Sequence, residues 1–150
     1  MCQDIGMTAR VFPAPGLLVA IVDGIVTEAD IDDITNAVEA HAKNSGGPIA
    51  YVLVVPEATS TPTEAVRQRA TAATRRLLQG AASRFDIVVA AGGVIASMQR
   101  VVMRGLILAL PERRLITIHG DIGSALRMVC RSDAVVADVS RGLGLDSASA

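Results

Sequence analysis

The sequence predicts a single α/β domain with a mostly parallel central sheet, on three grounds. Short apolar runs at residues 17–22, 49–55, 85–90 and 115–118 are continuous rather than alternating, the pattern of strands covered on both faces. Longer segments between them carry apolar residues at helical spacing. The composition is 51% hydrophobic but only 2% aromatic, so the core must be aliphatic, which suits buried parallel strands.

Residues 1–8 are weakly patterned and are expected to fray. Arg10-Val11-Phe12 should start a short edge strand stopped by Pro13-Ala14-Pro15-Gly16. Leu17 to Val22 then forms a hairpin with it, bounded by Asp23-Gly24. Thr27-Glu28-Ala29-Asp30 fits a capping box, and Ile31, Ile34, Val38 and Ala42 continue the helix it opens until Asn44 to Pro48 stops it. Ile49 to Val55 is β-branched and unbroken, as in a central strand. Thr61-Pro62-Thr63-Glu64 then combines a capping Thr, a Pro at the first helical position and a Glu at the third. The helix it predicts turns Val66, Ala70, Ala73 and Leu77 inward and Arg67, Thr71 and Arg75 outward, ending near Gly80.

Phe85 to Ala90 is the next covered strand, and Ala91-Gly92-Gly93 turns into a helix expected from about Val94 to Leu110. Residues 106–110 are apolar all round, which implies enclosure or contact with another molecule. Leu115 to Ile118 is a fourth strand of the parallel series. Asp121 can cap a helix holding Ile122, Ala125, Leu126, Val129 and Cys130 on one face. Ala134 to Val139 fits either a short strand or a helical extension, and residues 140–150 are expected to be a loose end. The predicted order is β-β-α-β-α-β-α-β-α in one domain spanning residues 1–150, with a core at about 9–131.

The formal net charge is -1, but its distribution is uneven. Residues 1–66 carry nine acidic against two basic side chains, and residues 67–131 carry eleven arginines against three acids. Such asymmetry fits a basic face for nucleic acid, acidic and basic surfaces that meet in an oligomer, or a solvated mixture. Cys2 and Cys130 lack a partner pattern and no secretory leader is apparent, so a reducing cytoplasm is the expected location. The apolar stretch at 101–110 is broken by Arg104 and is far short of the about 20 residues of a membrane span.

Candidate sites lie in the loops after the strands, where open α/β sheets bind ligands. Thr59, Ser60 and Thr61 place hydroxyls at a helix start, suited to capping or to phosphorylation, and Arg67 lies on the helix that follows. Gly92 and Gly93, with Ser97, resemble an anion loop but match neither a dinucleotide fingerprint nor a nucleotide-phosphate loop. No catalytic constellation is found. His41 is expected to be a helix C-terminal cation, and His119 a solvated loop histidine beside Asp121. No metal site or cofactor is expected. Arg67, Arg69, Arg75 and Arg76 share one helix, yet almost no aromatic residues are available to stack bases, so nucleic acid is disfavoured.

Residues 16–31 (GLLVAIVDGIVTEADI), the strand IAYVLVV with its polar loop, and residues 116–126 (ITIHGDIGSAL) resemble the STAS or SpoIIAA-like domains of anti-sigma-factor antagonists. The resemblance covers about residues 9–131. It implies a STAS-like fold and a non-enzymatic regulatory module of bacterial-type signalling that binds a partner protein. It further implies a phosphorylation switch after the third strand, here at Glu57 to Thr61, which lacks the Asp and Gly of the family's Asp-Ser-Ser-Gly-like stretch. The expectation is therefore a protein partner at the loop before Thr61 and the arginine-bearing helix. The alternatives are a small anionic or lipid-like ligand near Gly92 and Gly93, or a homodimer through Leu106 to Leu110.

Overall fold

The computed structural model describes residues 3–5, 9–56, 62–89, 104–105, 107–130 and 133–142. Six strands form one sheet in sequential order: β1 (Gln3–Asp4), β2 (Ala9–Ala14), β3 (Leu17–Val22), β4 (Ile49–Val55), β5 (Ala82–Val89) and β6 (Ile116–His119). β1, β2 and β3 pair antiparallel, and β3 through β6 pair parallel. The hairpin and parallel series agree with the sequence. The short β1 was not expected, because two exposed residues carry no hydrophobic pattern and are ordered by pairing with Val11 and Arg10. β1 stops short of Pro13, so the missing Pro N–H leaves no ladder bond unmade on that side.

Four helices of eight residues or more are described: α1 (Glu28–Ser45), α2 (Glu64–Leu78), α3 (Ile122–Val129) and α4 (Asp133–Gly142). α1 and α2 cover one face of the sheet, packing Ile34, Val38, Ala42, Leu77 and Leu78 on Leu18, Ala20, Tyr51, Phe85 and Ile87. Two successive right-handed crossovers in one direction require that shared face. α3 and α4 cover the other face, with Ala125, Leu126 and Val139 on Val19, Val52 and Val88. Every residue of β3 is buried, which explains its lack of alternation.

The α1 start follows the sequence: Thr27 Oγ1 accepts from the Asp30 amide, and the Asp30 carboxylate accepts from the Thr27 amide at 2.9 Å. Gly46, at φ 79°, ends the helix in the left-handed region that favours glycine. The α2 start differs. Thr63 rather than Thr61 is the cap, its Oγ1 accepting from Val66 N at 3.3 Å, so Pro62 precedes the helix. With Glu64 thereby in the first helical position, its carboxylate receives both Arg67 and Gln68 from the next turn.

Between β4 and β5 the register shifts after Ile49: Ile49 pairs with Ala82 and Ala50 with Arg84, leaving Ser83 as an extra residue whose hydroxyl donates to Ile49 O. The extra residue flips the alternation. Ala82 and Phe85 thus share the α1–α2 face, where Phe85 stacks on Tyr51 at 4.6 Å. It also places Arg84 and Asp86 on the other face.

Residues 94–103 and 106 of the helix expected at 94–110 lie outside the described residues; residues 104–105 and 107–108 are helical. Leu110 is buried against the α1–α2 core and Leu108 is exposed, so the stretch is not uniformly enclosed. Ala134 to Val139 is helical, not strand. The end expected to be loose from residue 140 begins inside α4, because Val139 is fully buried and Gly142 lies against Phe12. Residues 143–150 lie outside the described residues.

Candidate functional site

α2 presents two different sides, set by the spacing of its arginines. Arg69 and Arg76 point to α1. Arg69 donates through Nε and Nη2 to both oxygens of Asp32, at 2.8 and 2.7 Å. Arg76 reaches Glu39 with Nη2 at 2.8 Å and Nε at 2.7 Å. Asp32 to Glu39 and Arg69 to Arg76 are both steps of seven residues, so the two pairs clamp parallel helices two turns apart. Part of the charge asymmetry along the chain is thereby resolved: two acids of the first part meet two bases of the second within one molecule. The Asp32 carboxyl is held below the usual carboxylate range, chiefly by its hydrogen bond from Arg69.

Arg67 and Arg75 lie on the other side, where Glu64, Arg67, Gln68, Thr71, Ala72 and Arg75 line an open groove of about 570 Å³. Arg67 donates to Glu64 through Nη2 alone. Arg75 approaches Glu112 only through Nε, at 3.7 Å, too long for a hydrogen bond. Glu112 Oε2 is buried and accepts no hydrogen bond among the described residues. Glu64 is held low by its hydrogen bonds from Arg67 and Gln68. The Thr71 hydroxyl donates back to Arg67 O at 2.9 Å, and Ala72 is exposed, so the middle of the groove is small and short of donors.

Of the residues singled out from sequence, Arg67 is thus placed on this groove. Thr59, Ser60 and Thr61, and Gly92, Gly93 and Ser97, lie outside the described residues. The groove begins at Glu64, directly after the α2 cap Thr63.

A second polar cluster was not anticipated. On the face beneath α3, Asp86 is wholly buried and accepts from Arg84 Nε and Nη2, both at 2.7 Å. His119 Nε2 lies 2.7 Å from Asp86 Oδ1. His119 is therefore not a solvated loop residue; its carboxylate partner is Asp86 across the β5–β6 ladder, with Asp121 nearby as the α3 cap. The bidentate partnership with Asp86 holds Arg84 more firmly protonated. The only sequence signal was an Asp inside an apolar strand. His41 also departs from expectation: its Nε2 bonds Ala14 O at 2.7 Å and ties α1 to the β2–β3 turn.

Among the described residues no cluster of three or more His, Cys, Asp or Glu is placed to hold a metal, and no helix is long and apolar enough to cross a membrane. No protein-family profile matches the chain, and no curated protein matches it by sequence. By structure, it is similar to an anti-sigma factor antagonist from Mycobacterium paratuberculosis, with a TM-score of 0.50 and 18% identity over 86% of this chain and 98% of that one. The chain therefore has the STAS-like α/β fold of that antagonist, as the quoted motifs implied. At that identity the similarity speaks to the fold alone.

Proposed function

We propose that the protein is a non-enzymatic regulatory module that acts by binding a partner protein on the groove side of α2, together with Thr59, Ser60 and Thr61, which precede that helix in the sequence. The observation that carries this reading is the division of labour among the α2 arginines. Arg69 and Arg76 are committed to α1, whereas Arg67 and Arg75 line an open groove and, among the described residues, keep donors to spare. The structural neighbour is an anti-sigma factor antagonist, which supports a regulatory role at the level of the fold. A cytoplasmic location belongs to the same reading.

Affinity capture from native cells tests it, with the wild type, an Arg67→Glu/Ala72→Glu variant and a Thr59/Ser60/Thr61→Ala variant, all verified as folded by circular dichroism. Loss of a captured protein in the groove variant is the expected result, and identical partner sets for all three proteins would refute the surface. Phosphopeptide mass spectrometry over residues 57–67 reports separately on modification of the loop.

A further inference from the structure

The form of the groove narrows what it can receive, granted the reading above that this side of α2 is the binding surface. Arg67 and Arg75 stand about 12 Å apart along a helix rising about 1.5 Å per residue. Each is turned to a carboxylate of its own, Arg67 to Glu64 and Arg75 to Glu112, so the two are not gathered on one point as in an arginine cluster reading a phosphorylated side chain. The groove lies along a helix, so it presents no open sheet edge for strand addition. None of its lining residues among the described ones is aromatic, so a proline-rich helix finds no stacking surface. Between the two cations lie Thr71, whose hydroxyl proton is already engaged on Arg67 O, and Ala72. This is a low saddle against which another helix can pack closely.

Both cations also have unused capacity. Arg67 Nε and Nη1, and both terminal nitrogens of Arg75, donate no hydrogen bond among the described residues. Their side chains are 37% and 48% exposed. A guanidinium has five N–H donors, so each can hold its intramolecular carboxylate and accept a second one. Glu64 and Glu112 therefore orient the arginines rather than block them.

We infer that the groove receives an amphipathic helix bearing two carboxylates about two turns apart, one for Arg67 and one for Arg75, with small side chains between them over Thr71 and Ala72. Nucleic acid fits less well, because no aromatic residue among the described residues lines the groove to stack bases.

The test uses alanine-based helical peptides of about 20 residues on the full chain, followed by amide chemical-shift perturbation and titration. One peptide carries Glu pairs about seven residues apart, one carries them about three apart, and one has Lys in place of Glu. The expected result is binding of the wide-spaced peptide with shifts at residues 64–75. The close-spaced peptide and the Arg67→Gln/Arg75→Gln variant should each bind about tenfold more weakly, and the Lys peptide not at all. Equal binding of both Glu spacings, shifts centred elsewhere, or tighter binding of single-stranded RNA at the same residues would overturn the inference. If partner capture depends on the groove but peptide spacing does not matter, the helix inference falls and the partner surface stands. If capture ignores the groove, both fall.

Discussion

On one face of the sheet, helices of 18 and 15 residues lie over an aliphatic and aromatic strand surface; on the other, helices of 8 and 10 residues share the space with a fully buried carboxylate. The ionic contacts follow the same division. Along α1 and α2 they sit at the exposed rim, where solvent screens them and side-chain entropy opposes them. Beneath α3, Asp86 joins Arg84 and His119 in a low-dielectric setting, where each partner is expensive to remove. Long, well-capped helices cover their strands and relegate charge to the edge. The shorter pair leaves room for a polar network that ties β5 to β6 and leads into α3.

The sharpest way to break this contrast is to remove one carboxylate from each face. Asp86→Ala leaves a guanidinium and an imidazole without their common acceptor and is expected to cost about 3–5 kcal/mol. Asp32→Ala, on the exposed seam, should leave the urea midpoint nearly unmoved. Similar midpoints for the two variants would mean that the buried network contributes no more than the rim.

A smaller effect is expected where α4 meets β2. A Cβ on Gly142 would stand 2.0 Å from Phe12 Cε2, inside the ring's van der Waals envelope. Gly142→Ala should therefore displace the ring or the helix end, at about 1–3 kcal/mol. Hydrogen exchange should show lost protection in residues 133–142 with α1 and α2 unchanged; uniform loss across both faces would show that the faces open as one unit.

The smallest effect concerns acid. Asp32 is held low by Arg69, and Asp121 by hydrogen bonds from the Ser124 amide and hydroxyl. Both folded-state values lie below the unfolded ones. Their stabilisation is thus complete above the unfolded carboxylate value of about 3.9 and is lost as pH falls through the folded values. Unfolding followed from neutral pH into this range should show that decline. Added salt should weaken the Asp32 share more than that of Asp121, whose partners are neutral dipoles at a helix start. Equal salt sensitivity in Asp32→Asn and Asp121→Asn variants would contradict that assignment.

Features coded within a few residues were legible before the structure. The Thr27 box, the Gly46 stop, the Asp121 cap and the runs of covered strand rest on local hydrogen bonding and hydrophobic period, which neighbouring residues specify. The α2 cap is Thr63 and not Thr61, a choice the pattern does not make, because both flank Pro62 and Pro is favoured at the first helical position. Of the candidate site, Arg67 was legible as an outward cation. Its difference from Arg69 was not, since that depends on which side of α2 faces α1.

The α/β class, the hairpin followed by parallel strands, and the aliphatic core follow from local period, capping and composition, which short stretches of the chain carry on their own. It takes the folded arrangement to bring two acids of the first part onto arginines 37 residues further on, and to turn Asp86, after the extra residue Ser83, into the α3 face toward His119. Tertiary packing likewise gives Arg67 and Arg75, among the described residues, donors to spare over an open groove. Those outcomes depend on helix orientation and strand register, which bring together residues far apart in the chain. No local run of residues encodes such pairings.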